Sequence, residues 1–313
     1  MSHPHLLWLA GDHHVHTHYS HDGTYSVARQ AEAAAQHGLA WMVITDHGGP
    51  DHAKQAVGPT GMDVERAREA LPQLLVFQGL EWNVPGSEHG TVFVAPGAGD
   101  RQLLEHFEQL FDGFALYGDR ATDRTVGAKA LEGLSWMRSR VTDGRTASAL
   151  FLINHPSRRG LVSPRQLRDW HDLCPDLAVG MEGAPGHQDA GQLSEPRGIY
   201  DKGPTSHSFP GYPVESYRTI GGFDWMTATV GGVWDALLAE GRRWWVTANS
   251  DSHAVASGRE SQPFGRDFWP GAYSRTVVGT TEPSYRAVMD GIRGGRMWVG
   301  HGDLIWSLEV RVG

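Results

Sequence analysis

What most constrains the fold of this chain is a repetition. Nearly every apolar run ends, on its C-terminal side, in a side chain able to bind a metal. Leu6 to Ala10 leads to His14 and His16, Leu39 to Thr45 to His47, and Leu74 to Gln78 to Glu81. Ala149 to Ile153 leads to His155, Leu177 to Met181 to Glu182, and Trp244 to Ala248 to Asp251 and His253. Such runs, rich in Val, Ile, Leu and Trp, read as buried parallel strands, with helical patterns between many of them. Functional groups gathered at the C-terminal ends of parallel strands are the habit of α/β barrels. A single barrel domain over residues 1–313 is therefore expected, in preference to two domains.

The densest signal is Gly11 to Gly23, GDHHVHTHYSHDG, which holds five of the chain's 18 histidines. His14 and His16 stand two apart, so on a strand both rings leave one face. Helices are predicted from Ser26 to His37, with Ser26 as N-cap and Gly38 as stop, from Val64 to Leu71, and in two pieces across Arg101 to Arg145. Thr91 to Ala95 reads as a strand with His89 just before it. Thr276 to Val278, a helix from Ser284 to Arg293, and strands around Trp298 and from Leu304 to Val312 close the chain. Two stretches with little periodicity, about 185–222 and 254–273, read as loop excursions over the barrel mouth.

The formal net charge of −9 presents the wrong field to a nucleic-acid polymer, so no nucleic acid is expected as partner. One cysteine excludes an internal disulfide and any thiolate cluster, leaving imidazole and carboxylate as metal ligands. No run of 18 apolar residues occurs, so no membrane span is expected, and a cytoplasmic location is the default reading.

Taken in order, HVHTHYSHDG, ITDHG, GLEWN, NHP and NSDSH resemble the PHP (polymerase and histidinol phosphatase) superfamily of metal-dependent hydrolases. The resemblance runs from about residue 11 to residue 253 and implies a distorted (β/α)7 barrel with loop insertions, holding two or three divalent metals at its mouth. It implies that His14, His16, Glu81 and Asp251 hold a first metal. Glu81 would bridge to a second, completed by His89 and His155, and Asp22, His47 and His253 would hold a third. His21 is the neighbour that competes with Asp22 for that register. Imidazole and carboxylate suit Zn, Mn or Fe and do not choose among them.

The function that follows is hydrolysis of a small phosphate ester by attack of a metal-bound hydroxide, with no catalytic residue assigned beyond the metal centre. Arg158 is a candidate clamp for phosphate oxygens, since its planar fork matches them in two bonds at once. A surface ion pair at the loop is the plainer reading for it. Glu182 is expected either to stand behind the metal ligands or to contact substrate, and His187 is a candidate substrate contact. Asp46 is expected to orient His47, and His13 to point away from the site. A carboxylic or carbamate ester hydrolase on the same metals is the alternative activity. A non-catalytic metal-binding module is the alternative of another class. Oligomeric state is not legible.

Overall fold

The structure, a computed structural model, describes residues 6–186, 208–209, 212, 222–255, 268–302, 305 and 308. Most of both loop excursions, His187 among them, and most of the run from Leu304 to Val312 lie outside the described residues.

Among the described residues nine strands form one sheet: β1 (Leu7–Val15), β2 (Trp41–Ile44), β3 (Leu75–Asn83), β4 (His89–Val94), β5 (Ala149–Ile153), β6 (Ala178–Ala184), β7 (Trp245–Ala248), β8 (Ser274–Thr280) and β9 (Met297–His301). Their spatial order is β7-β6-β5-β4-β3-β2-β1-β8-β9. The strand count thus exceeds the expected seven, and the reason lies at the seam. Only the N-terminal part of β1, Leu7 to Gly11, pairs with β8, which runs antiparallel to it and carries β9. Its C-terminal part instead meets the chain beyond β7. Val15 bridges Ser252 in parallel, the His16 N–H donates to the Ser252 carbonyl at 2.9 Å, and the Ser250 N–H donates to Asp12 Oδ2 at 3.0 Å. His13 Nε2 and Thr247 Oγ1, 2.7 Å apart, add a side-chain bond across the same seam. A nearly closed ring of β1 to β7 results, with β8 and β9 as an antiparallel extension, and the α/β barrel architecture stands.

The ring is not wholly parallel. β4 runs antiparallel to both β3 and β5, joined to β3 by the short turn after Asn83. This reversal has a direct consequence for the mouth: the first residue of β4, His89, is paired with Asn83 at the C-terminal end of β3. A ligand that starts a strand therefore arrives at the same rim as ligands that end one.

Strand alternation separates two layers of packing. Leu80, Trp82, Phe151 and Ile153 belong to an outer cluster with Phe107 of helix α4 (Asp100–Phe111) and Trp170 of helix α7 (Pro164–Leu173). Residues of the opposite parity, Val43, Phe77, Phe93, Leu150 and Leu152, join Val288, Met289 and Ile292 of the last helix, α10 (Tyr285–Arg293). That inner parity, followed along β3, leads from Phe77 to Glu81. The polar centre therefore continues the row of an apolar core.

Helix α1 (Val27–Gln36) starts as expected at Ser26, whose hydroxyl accepts from the Arg29 N–H, and Gly38 follows it at φ 75°. Between α1 and α4 lie α2 (His52–Gln55) and α3 (Val57–Ala70). The segment expected as two helical pieces holds α4, α5 (Gly113–Tyr117) and α6 (Ala128–Thr142). The other additions are α7, opened by a full capping box of Ser163 and Gln166 with Pro164 at its start, and α8 (Trp225–Ala228) and α9 (Val233–Ala239). No described helix is long and apolar enough to cross a membrane.

Candidate metal centre

Glu81 stands at the centre of the mouth, 1% exposed on β3. His14 Nε2 lies 3.2 Å from its Oε1 and 3.1 Å from Asp251 Oδ1. His16 Nε2 lies 3.3 Å from Glu81 Oε2 and 3.3 Å from the same Asp251 oxygen. The two imidazole nitrogens face each other at 2.9 Å. On the other flank His155 Nε2 and His89 Nδ1 approach Glu81 Oε1 at 3.0 and 3.1 Å, and His47 Nδ1 approaches Oε2 at 2.8 Å. Further out, Asp22 Oδ2 lies 3.3 Å from His47 Nε2 and 3.5 Å from His253 Nε2. All nine residues expected as ligands are thus brought together. His21 stays at the rim, 78% exposed, with Nε2 3.7 Å from Asp22 Oδ2 and its ring 5.1 Å from that of His47, while Asp22 is the carboxylate that reaches both His47 and His253.

The inner arrangement meets a simple test of fit for a cation. His14 Nδ1 bonds Glu182 Oε1 at 2.6 Å, and His16 Nδ1 bonds the Ser20 hydroxyl at 2.9 Å. With those nitrogens engaged, the Nε2 lone pairs of both rings and oxygens of Glu81 and Asp251 converge on one small volume. Lone pairs in such a cluster repel unless a proton or a metal ion stands among them. Ligand bonds of ~2.0–2.2 Å in a tetrahedral shell give ligand–ligand edges of ~3.3–3.6 Å, close to the separations found. Among the described residues, four groups of His and carboxylate have ligand atoms near enough to share an ion: His16/Asp22/His47/His253, His14/His16/Glu81, His47/Glu81/His89 and Glu88/His89/His155. The donor set, all nitrogen and oxygen, fits divalent ions of the Zn, Mn or Fe kind.

Protonation shows the same electron-rich field. Burial alone would strip the proton from His14, yet the carboxylates of Asp251, Glu81 and Glu182 outweigh it and raise its pKa well above the usual imidazole value. His47 is pushed up to about 10 against its burial, by Glu81 and Asp22. Burial would raise Glu81, but the imidazoles of His14, His89 and His47 hold it well below the ordinary carboxylate range. His155 goes the other way: burial, then the charge of Arg158, lowers it to about 3. It is therefore neutral, as a ligand nitrogen must be.

Two of the ligand candidates sit on unusual backbone. His155 at φ 29° and Asp251 at φ 49° are the described non-glycine residues with positive φ. Left-handed backbone is unfavourable for L side chains, by on the order of 1 kcal/mol or more. His155 stands two residues past the end of β5 and Asp251 three past the end of β7, and the turn re-aims each side chain into the mouth.

Several assignments made from sequence change in place. Glu182, expected either behind the ligands or in contact with substrate, takes the first place: it is fully buried inside β6, one oxygen bonds His14 Nδ1 and the other accepts the His155 N–H at 2.6 Å. It is an orienting carboxylate, because both oxygens already serve the protein. Arg158 is 9% exposed and its Nη2 bonds Glu88 Oε1 at 2.6 Å, so it makes a buried ion pair in place of a surface one. Asp46 does not orient His47. It accepts from the Thr17 N–H at 2.6 Å and the Thr17 hydroxyl at 2.8 Å, which anchors the loop beyond His16. His13 is buried and directed to β7. Asn154, beside His155 on the loop after β5, donates its amide to Glu81 Oε1 at 3.0 Å while its carbonyl oxygen accepts from Thr91. Glu88 was not singled out, since nothing in its spacing marks a hairpin glutamate as buried.

The fold and this centre define a barrel with a histidine–carboxylate cluster at its mouth. Residues 12–134 match the family model of the PHP domain, so the resemblance carried by the motifs holds for that stretch, which contains His14 to His89. His155, Glu182, Asp251 and His253 lie beyond the match. No curated protein matches the sequence. Among solved structures, the chain is similar to a two-domain protein of Bacteroides vulgatus containing a predicted PHP-like metal-dependent phosphoesterase. Identity there is 15% and the TM-score 0.49, over 96% of this chain and 66% of that one. It is also similar to endonuclease Q in complex with a 27-mer duplex bearing an abasic lesion, at 11% identity and TM-score 0.42, over 92% of this chain and 57% of the other. The lesion-specific endonuclease of Pyrococcus furiosus gives 11% identity and TM-score 0.43, over 94% and 58%. The chain thus spans less than two thirds of the length of each of these three.

The expectation that nucleic acid is no partner is corrected by these structures, since endonuclease Q holds a DNA duplex. The physical reason is that a whole-chain charge of −9 is a sum over the surface. The field a phosphate meets is set locally, by the groups at the mouth.

Proposed function

We propose that this mouth holds divalent metal ions and that the protein hydrolyses phosphate esters there. One observation carries the reading: the lone pairs of His14, His16, Glu81 and Asp251 converge with separations of 2.9 to 3.3 Å, in a buried site. His14, His16, Glu81 and Asp251 would hold one ion, Glu81 with His89 and His155 a second, and Asp22, His47 and His253 a third. Bound there, divalent ions supply Lewis acidity that offsets the charge of phosphoryl oxygens.

The chain's own residues supply orientation. Glu182 fixes the His14 ring and the backbone of His155 together, and Ser20 fixes the His16 ring. Asn154 holds one oxygen of Glu81, and so sets how that carboxylate is shared between its two flanks. Arg158, three residues past His155, is held by Glu88 beside the centre, where its guanidinium would meet a peripheral phosphoryl oxygen. The match of residues 12–134 to the PHP domain supports this reading.

A substrate screen tests it. Metal-replete protein, loaded with Mn²⁺ or Zn²⁺, is offered nitrophenyl phosphate, bis-nitrophenyl phosphate, an oligonucleotide and nitrophenyl acetate. Turnover of at least one phosphate ester, lost on chelation, is the expected result, and the ester that turns over identifies the class. Turnover of the acetate alone, or of nothing, would overturn the assignment.

A further inference from the structure

Glu88 lies on the short turn between β3 and β4, where a glutamate would ordinarily face water. Here the Val84 N–H donates to its carbonyl and the Ser87 N–H donates to the Val84 carbonyl, and this tight turn folds the side chain inward until it is 1% exposed. One oxygen, Oε1, pairs with Arg158. The other, Oε2, is buried with no hydrogen-bond partner, and so is Nδ1 of His155. A buried carboxylate oxygen left unbonded costs roughly 1–3 kcal/mol or more, so an ion pair alone is an incomplete account of this residue.

Its neighbours offer the missing partner. Glu88, His89 and His155 each present a ligand atom, and these three atoms lie within 4.8 Å of one another. His89 stands between two carboxylates, with Nδ1 at 3.1 Å from Glu81 Oε1 and Nε2 at 3.9 Å from Glu88 Oε1. His155 turns Nε2 to Glu81, which leaves its unbonded Nδ1 on another side of the ring. Carboxylate and imidazole in this number and spacing are the ligand set of a divalent cation.

We infer that Glu88 is a cation-binding carboxylate, forming with His89 and His155 a divalent-metal position that Arg158 contests for the same carboxylate. The inference rests on the metal reading above and goes beyond it, by adding a ligand outside the Glu81, His89 and His155 set. Arg158 then has a second role. Its positive charge neutralises Glu88 while the position is empty, and it is displaced or weakened as the cation enters.

The test is calorimetric titration of metal-stripped protein with Zn²⁺ alone and with Mn²⁺ alone, comparing wild type with E88Q, R158Q and the double variant E88Q/R158Q. E88Q should weaken one metal equivalent by roughly 10-fold or more, and R158Q should tighten that same equivalent. The double variant buries no unpaired charge, so it keeps the fold even where E88Q alone does not, and it should show the E88Q loss. Wild-type stoichiometry and affinities in the double variant, or a weaker equivalent in R158Q, would overturn the inference and leave the proposed function standing. Wild-type protein that takes up neither metal would overturn both.

Discussion

The mouth has an inner half and an outer half, and they are built differently. The inner half, His14, His16, Glu81 and Asp251, is 0–1% exposed. Two of its members are tied from behind by Glu182 and Asn154, and a third by Ser20. In the outer half the side chains of Asp22, His47 and His253 are 40%, 12% and 10% exposed, and Asp22 reaches in from the loop after β1. An ion bound in the inner half would exchange water for a prearranged shell, whereas one in the outer half would first have to order a carboxylate that solvent also competes for. Orienting bonds raise ligand basicity and lower the ordering cost, so the inner half should bind more tightly.

Four variants break or sharpen that contrast, in decreasing order of effect. E81Q removes the carboxylate that both flanks share; metal content by elemental analysis should fall across the centre, and hydrolysis should drop by roughly 10³-fold or more. Retention of both would remove Glu81 from the centre altogether. E182Q leaves every ligand in place but replaces the carboxylate behind His14. The tightest metal equivalent should weaken by roughly 10–100-fold, read by competition with a chelator, and the outer equivalent should not move. D22N should do the reverse, weakening only the loosest equivalent by about 10-fold, within the range for partly exposed ligands. An equal loss at both halves would show that they act as one unit. S20A is the mildest. The Ser20 hydroxyl bonds His16 Nδ1 and accepts the His47 N–H at 2.9 Å, so it links the halves. Losing one hydrogen bond of ~0.5–1.5 kcal/mol should cost each half about 2–10-fold in affinity.

Much of this centre was legible because strand ends are legible. Apolar runs give the strands, and a His, Asp or Glu where the run stops gives the rim. His89 escaped that logic. It begins a strand, and only the antiparallel course of β4 brings it to the rim. Helix α7 is legible from its capped start, which Ser163, Pro164 and Gln166 spell out. The orienting residues were not legible in any comparable way. Glu182 is separated by 168 residues from His14, and nothing local in either says which carboxylate will stand behind which imidazole. Asp46 shows the hazard of adjacency, because its nearness to His47 in sequence suggested a partnership that the fold gives to Thr17. Net charge failed for a related reason, since a sum over 313 residues holds no information about a few cubic ångströms.

The seam between β1 and the turn after β7 also sets an order in time. His14 and His16 leave the ribosome well before Asp251 and the Ser252 carbonyl that clasps β1, which follow more than 230 positions later. Contacts of such separation close only after the intervening chain has been ordered. During synthesis, β1 must therefore wait with its histidines uncovered while five more strands are laid beside it. Only the last of the ring brings the fourth inner ligand. The centre is consequently a product of completed folding, and any ion bound as proposed would enter a finished barrel.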